Sequence, residues 1–151
     1  MPYQVIVVGT DGSARAGVAV DKALELAELT GATVHAVNVM HTSAAFEDPH
    51  SAQLVMDELR DHAEGIKEQV AEEARRSGVA VEFHSSVGEP AEALIELAEK
   101  LHADLVVVGN RGMSGMKRFV LGSVPNRVSH KCPCSVLIVN TERELHEQSP
   151  S

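Results

Sequence analysis

Two hydrophobic periods take turns along this chain. The run "QVIVV" at 4–8 is continuous apolar and ends in the turn cluster "GTDGS". From Ala14 to Thr30 the apolar residues move to a helical spacing, with Val20, Ala23, Leu24 and Ala27 on one stripe and Gly31 as a natural stop. "TVHAVNV" at 33–39 reads as a second strand, followed by the polar connection "HTSAAFEDPH". A long charged helix is expected from about Ser51 to Ser77, closed by Gly78, with Leu59, Ile66, Val70 and Ala74 facing inward and Gly65 as a weak point. "VAVEFHSSV" at 79–87 alternates, with Val79, Val81 and Phe83 on one face, so it reads as a less buried strand. Pro90 then opens a third helix, in the first turn where its missing N–H costs nothing, and Leu94, Ile95, Leu97 and Ala98 carry it to Leu101. "LVVV" at 105–108 and "SVLIV" at 135–139 complete five short strands, separated by helices. That alternation predicts an α/β fold: an open five-stranded parallel sheet with helices on both faces, a Rossmann-like arrangement.

Length and composition narrow the class. The 151 residues fit one domain, expected over 1–141, with a polar tail at 142–151. Aromatics make up 3 %, and there is no Trp, which disfavours base-stacking platforms. A net charge of −9 argues against binding nucleic acid over a broad face. No apolar stretch is long enough for membrane insertion, and "MPYQVIVVGTDGS" does not read as a signal peptide. Cys132 and Cys134 are too few for a disulfide framework, so the expected location is cytoplasmic and reducing.

Charge also points to a site. The stretch between Asp104 and Glu142 contains no acid, yet it holds Arg111, Lys117, Arg118, Arg127 and Lys131. It includes "GNRGMSGMKRFVLGSV" at 109–124, a positive, glycine-rich island in an acidic chain, which suggests an anion site. In open parallel sheets ligands bind beyond the carboxyl ends of the strands where strand order reverses, and both "GTDGS" and this segment follow strands. Gly109 and Gly112 bracket a turn where backbone approaches a ligand. Ser123 reads as an N-cap and Pro125 falls in the first turn of a short helix, whose start makes a phosphate cradle. There is no G-x-x-x-x-G-K-[ST] and no G-x-G-x-x-G after the first strand, which disfavours a P-loop or dinucleotide fold. What stands instead is G-x2-G-x9-G-S, formed by Gly109, Gly112, Gly122 and Ser123.

With that signature the sequence resembles the universal stress protein family, from "VIVVGTDGS" through "VGEPAEALIELAEKLHADLVVVGNRGMSGMKRFVLGSV" to "CPCSVLIV". The signature marks the family's ATP-binding branch. The resemblance implies a strand order of 3-2-1-4-5, homodimers, and ATP, with Mg²⁺ as an optional companion, held between the loops after strands 1 and 4. Carried over by position, Asp11 would lie at the ribose or adenine side with a share in a metal. The backbone of Val39 would hold the adenine edge, and Val108 would wall the base. Gly109, Gly112, Gly122, Ser123 and the Val124 N–H would hold ribose and phosphates, with Arg111 neutralising charge. Pro125-Asn126 departs from the small residue and acid that many relatives carry there.

Plainer readings stand beside these. Asp11 could cap the first helix, with Ser13 as rival. His130, Cys132 and Cys134 are metal-ligand types without a recognisable zinc spacing, and the eight histidines look scattered. Phosphoryl transfer needs a placed base, and none has a clear claim, so no catalytic residue is assigned. The expected function is an ATP-binding regulatory, stress-response protein. Alternatives are a slow ATPase or a sensor of another adenine nucleotide such as cyclic AMP. Finally, "SVLIV" would be an edge strand in the 3-2-1-4-5 order, continuous in apolar residues. A homodimer through Val136, Leu137, Ile138 and Val139 would cover it.

Overall fold

The computed structural model describes residues 3–40, 49–110 and 122–142. Nine elements follow one another: β1 (Val5–Gly9), α1 (Ala14–Thr30), β2 (Thr33–Met40), α2 (Pro49–Ser77), β3 (Val81–Val87), α3 (Pro90–Leu101), β4 (Leu105–Gly109), α4 (Ser123–Lys131) and β5 (Ser135–Val139). The strands form one parallel sheet in the order β3-β2-β1-β4-β5. The expected architecture and strand order are both present.

Side chains alternate across the sheet, so each strand feeds two cores. Ile6, Val8, Val34, Ala36, Leu105 and Val107 pack beneath α1 and α2. Val7, Val37, Val106 and Val108 pack beneath α3 and α4. The inner strands are therefore apolar on both faces, which is why they read as continuous runs. The outer strand β3 alternates half-buried and exposed positions as its sequence predicts, except that His84, beside His35, is half-buried like Phe83.

Helix ends follow their chemistry. Ser13 caps α1 by accepting from the Ala16 N–H at 3.1 Å, and Gly31 ends it at φ 79°, its N–H bonded to Ala27 O. Here Ser13, not Asp11, is the cap. Helix α2 runs unbroken through Gly65, because Ala63, Ile66, Val70 and Ala74 bury its inward face while Gly65 faces open space. It begins at Pro49, slightly earlier than its apolar stripe suggests. At the opposite end of the sheet, one Asp104 carboxylate oxygen accepts from the Gln4 and Val5 N–H groups at 2.8 and 2.9 Å, which holds its pKa below the usual carboxylate range. No helix among the described residues is long and apolar enough to cross a membrane.

Candidate functional site

The sheet order makes β1 and β4 neighbours whose following connections depart to opposite faces, which creates a crevice at their carboxyl ends. The loop after β1 is tightly built. The Thr10 N–H donates to Val37 O at 2.9 Å, which ties the loop to β2. Thr10 Oγ1 accepts from the Gly12 N–H at 3.2 Å, and Asp11 Oδ1 accepts from the Ser13 N–H at 2.9 Å. These are side-chain turns that pre-form the loop. Gly12 has φ +83°, and a Cβ there would stand 2.9 Å from Ile66 Cγ1 of α2. The loop thus lies directly against that helix. The Asp11 side chain is exposed, with one carboxylate oxygen committed to the turn.

After β4 the chain reaches Asn110 and returns at Gly122, one hydrogen bond away: the Gly122 N–H donates to Asn110 O at 2.9 Å. Asn110 is itself fixed, since its N–H donates to Val139 O. Its Oδ1 accepts from both the N–H and the hydroxyl of fully buried Thr141, each at 3.1 Å. Arg111 and Gly112 lie outside the described residues, as do Lys117 and Arg118 of the basic island.

Helix α4 starts one residue earlier than its sequence suggests. Its N-cap is Gly122, with extended backbone at φ −62° and ψ 160°, and Ser123 is already helical. The Ser123 hydroxyl is therefore not spent on capping. Of the first N–H groups, that of Gly122 is used by Asn110, and Pro125 has none. Those of Ser123 and Val124 have no backbone acceptor among the described residues. Ser123 is exposed and Val124 half-buried. Two donors, a hydroxyl and the positive end of a helix therefore follow Gly122, which is hydrogen-bonded to Asn110 just after β4. Arg127 points elsewhere: it pairs with Glu92 of α3.

The remaining sequence-derived positions divide by depth. Val39, near the end of β2, is half-buried and registered with Ser86. Val108 is buried in the core beneath α3 and α4, so its side chain faces protein atoms there. Two residues that the sequence did not single out adjoin the β1 loop. His62 of α2 sits with Nε2 3.4 Å from Asp11 O. Asn38 is 3 % exposed, and its Nδ2 has no hydrogen-bond partner among the described residues. A polar residue inside "VNV" is the signal for the second, whereas nothing local marks His62, which arrives through helix packing.

Known proteins resemble this chain in sequence and fold. The universal stress protein family model matches residues 2–140. Universal stress protein Rv1636 of Mycobacterium tuberculosis is 37 % identical over 145 residues, covering 92 % of this chain and 97 % of its own. Among solved structures, a universal stress protein in complex with cAMP is 34 % identical, with a TM-score of 0.74 over 93 % of this chain and 99 % of that one. The hypothetical protein MJ0577 is 25 % identical with a TM-score of 0.82, covering 92 % of this chain and 96 % of its own. With a sheet in the family's order and a match along nearly its whole length, this chain belongs to the universal stress protein family.

Proposed function

We propose that this protein binds an adenine nucleotide, ATP in the first instance, in the crevice at the carboxyl ends of β1 and β4, and acts as a nucleotide-responsive regulator. The observation that carries this reading is the start of α4. There the Ser123 and Val124 N–H groups have no backbone acceptor among the described residues, the Ser123 hydroxyl is not used as the cap, and the cap is a glycine with no side chain to obstruct an approaching phosphate. In this reading Gly109, Gly112, Gly122, Ser123 and Val124 hold ribose and phosphates, and Arg111 supplies charge. The Val39 backbone meets the adenine edge, and Val108 backs the base. The exposed Asp11 carboxylate serves the ribose or a phosphate-bound Mg²⁺. When bound, the ion would neutralise phosphate charge.

Cyclic AMP is the second reading, favoured by the cAMP complex of the relative that is 34 % identical. Slow ATP hydrolysis is a third possible activity. It would appear as Mg²⁺-dependent phosphate release above the uncatalysed rate.

Mass spectrometry under native conditions on the freshly purified protein identifies the retained nucleotide, and calorimetric competition among ATP, AMP and cyclic AMP ranks them. Replacing Ser123 with Ala should weaken ATP binding by ~1.5–3 kcal/mol, the range for a hydrogen bond to a charged group. Binding as tight as wild type would remove Ser123 from the site.

A homodimer through the β5 edge accompanies this proposal. Strand β5 has a neighbour on one side only, and Ile138 within it is 36 % exposed. The expected cytoplasmic location remains part of the same proposal.

A further inference from the structure

Separately from the residues assigned to the crevice, three side chains on one face of β2 and β3 converge. His35 registers with Glu82, and Val37 with His84, so His35 lies between two polar neighbours on the adjacent strand. Its Nδ1 is 2.9 Å from His84 Nε2 and 3.2 Å from Glu82 Oε2. One candidate ligand atom from each of the three residues lies within 4.8 Å of the others. His35 registers with Val7, two residues before the end of β1, so the cluster lies about 7 Å along the strand below the level of the crevice.

From this geometry we propose a binding site for a divalent transition metal of the zinc class, formed by His35, Glu82 and His84. Ligand atoms about 2.0–2.1 Å from a tetrahedral zinc ion lie roughly 3.3 Å from one another. The two contacts of His35 Nδ1 are close to that separation, so an ion needs little rearrangement. Two imidazoles and one carboxylate suit Zn²⁺, Co²⁺ or Ni²⁺ better than Mg²⁺, which prefers an oxygen shell.

Access is open. Helix α3 packs on β1, β2 and β4, and α4 on β4 and β5, while α2 covers the opposite face of β3. The Glu82 side chain is 65 % exposed and can swing onto the ion. Three protein ligands leave a fourth position for water. His35 anchors the site, since its side chain is 9 % exposed. The competing explanation is that Glu82 and His84 only make the edge strand polar, discouraging strand pairing.

Calorimetric titration of tag-free, metal-stripped protein with ZnSO₄, without nucleotide, separates the two. One equivalent should bind, and Co²⁺ should give the visible absorption of a tetrahedral site. His84→Gln and Glu82→Gln alter exposed or half-exposed positions and should retain the fold by circular dichroism. Each should weaken Zn²⁺ binding about tenfold or more. A Cys132→Ser/Cys134→Ser double variant should bind as wild type does. The proposal is overturned if there is no saturable binding, if both cluster variants retain wild-type affinity, or if binding is lost with the cysteines.

Discussion

Single residues decide how closely the loop after β1 can sit on the rest of the molecule. Gly12 combines positive φ with a place where a Cβ would meet Ile66 Cγ1 at 2.9 Å. The left-handed conformation costs an alanine ~1–2 kcal/mol, and the close contact must be relieved by moving the Ile66 side chain or the loop. Gly12→Ala should therefore lower unfolding free energy by at least ~1 kcal/mol in urea denaturation. An unchanged midpoint would mean the loop rearranges without cost. The glycine of "TDGS" was legible in the sequence as a turn residue. Its packing role was not, because Ile66 lies more than fifty positions away and meets it only through the fold. The same limit hid the His35–Glu82–His84 cluster. Its ligands are assembled by the register of β2 against β3, whereas their sequence spacing resembles no metal motif. The α4 cap was misplaced by one residue for a local reason: a serine is normally the better cap, but Gly122 adopts the extended backbone and Ser123 enters the helix.

At the scale of elements, α2 contains two features that bear on stability. Gly65 lies within the helix with open space where its Cβ would be. Gly65→Ala should stabilise the protein by ~0.5–1 kcal/mol, measured as a higher urea midpoint, because the helix loses a costly glycine and gains no clash. The second feature joins α2 to α1. The Asp21 and Glu73 carboxyls interact with each other, and burial raises both above their ordinary pKa values. Repulsion by Asp21 adds to the Glu73 shift, while Arg76 opposes it. Raised folded values mean that the native state holds protons more tightly than the unfolded chain. The pair's stabilisation is thus fully present below the ordinary 3.8 and 4.5 and is lost as pH rises through the raised values. Glu73→Gln removes that repulsion while keeping a donor for Asp21. It should be more stable than wild type at pH near 7, with the difference shrinking toward about pH 4. Urea titrations across that range test the sign, and a difference that widens on acidification would contradict it.

For the whole molecule, the strand order leaves β3 and β5 as edges, and the two differ sharply. Strand β3 alternates and presents Glu82 and His84, whereas β5 is "SVLIV", without a charge or proline. The contrast is readable in sequence, since one run alternates and the other is continuous, but the edge position of β5 is not, because inner strands and apolar edges both appear as continuous runs. Only the order distinguishes them, and that order came from the family resemblance. Among the described residues β5 has a strand on one side only, and an open edge beside Ile138, 36 % exposed, is a template for pairing. A second copy of β5, antiparallel across a twofold axis, would satisfy both the backbone groups and the side chains with one self-complementary surface. Ile138→Pro removes one backbone donor at the centre of that edge, and Ile138→Lys keeps the donor but adds charge to the apolar patch. In sedimentation velocity at micromolar concentration, wild type should run as a dimer, and both variants should shift toward monomer. The lysine variant guards against misreading a folding defect, because an exposed side chain can change without touching the core. A monomeric wild type would refute the dimer, and two variants as dimeric as wild type would put the interface on another surface.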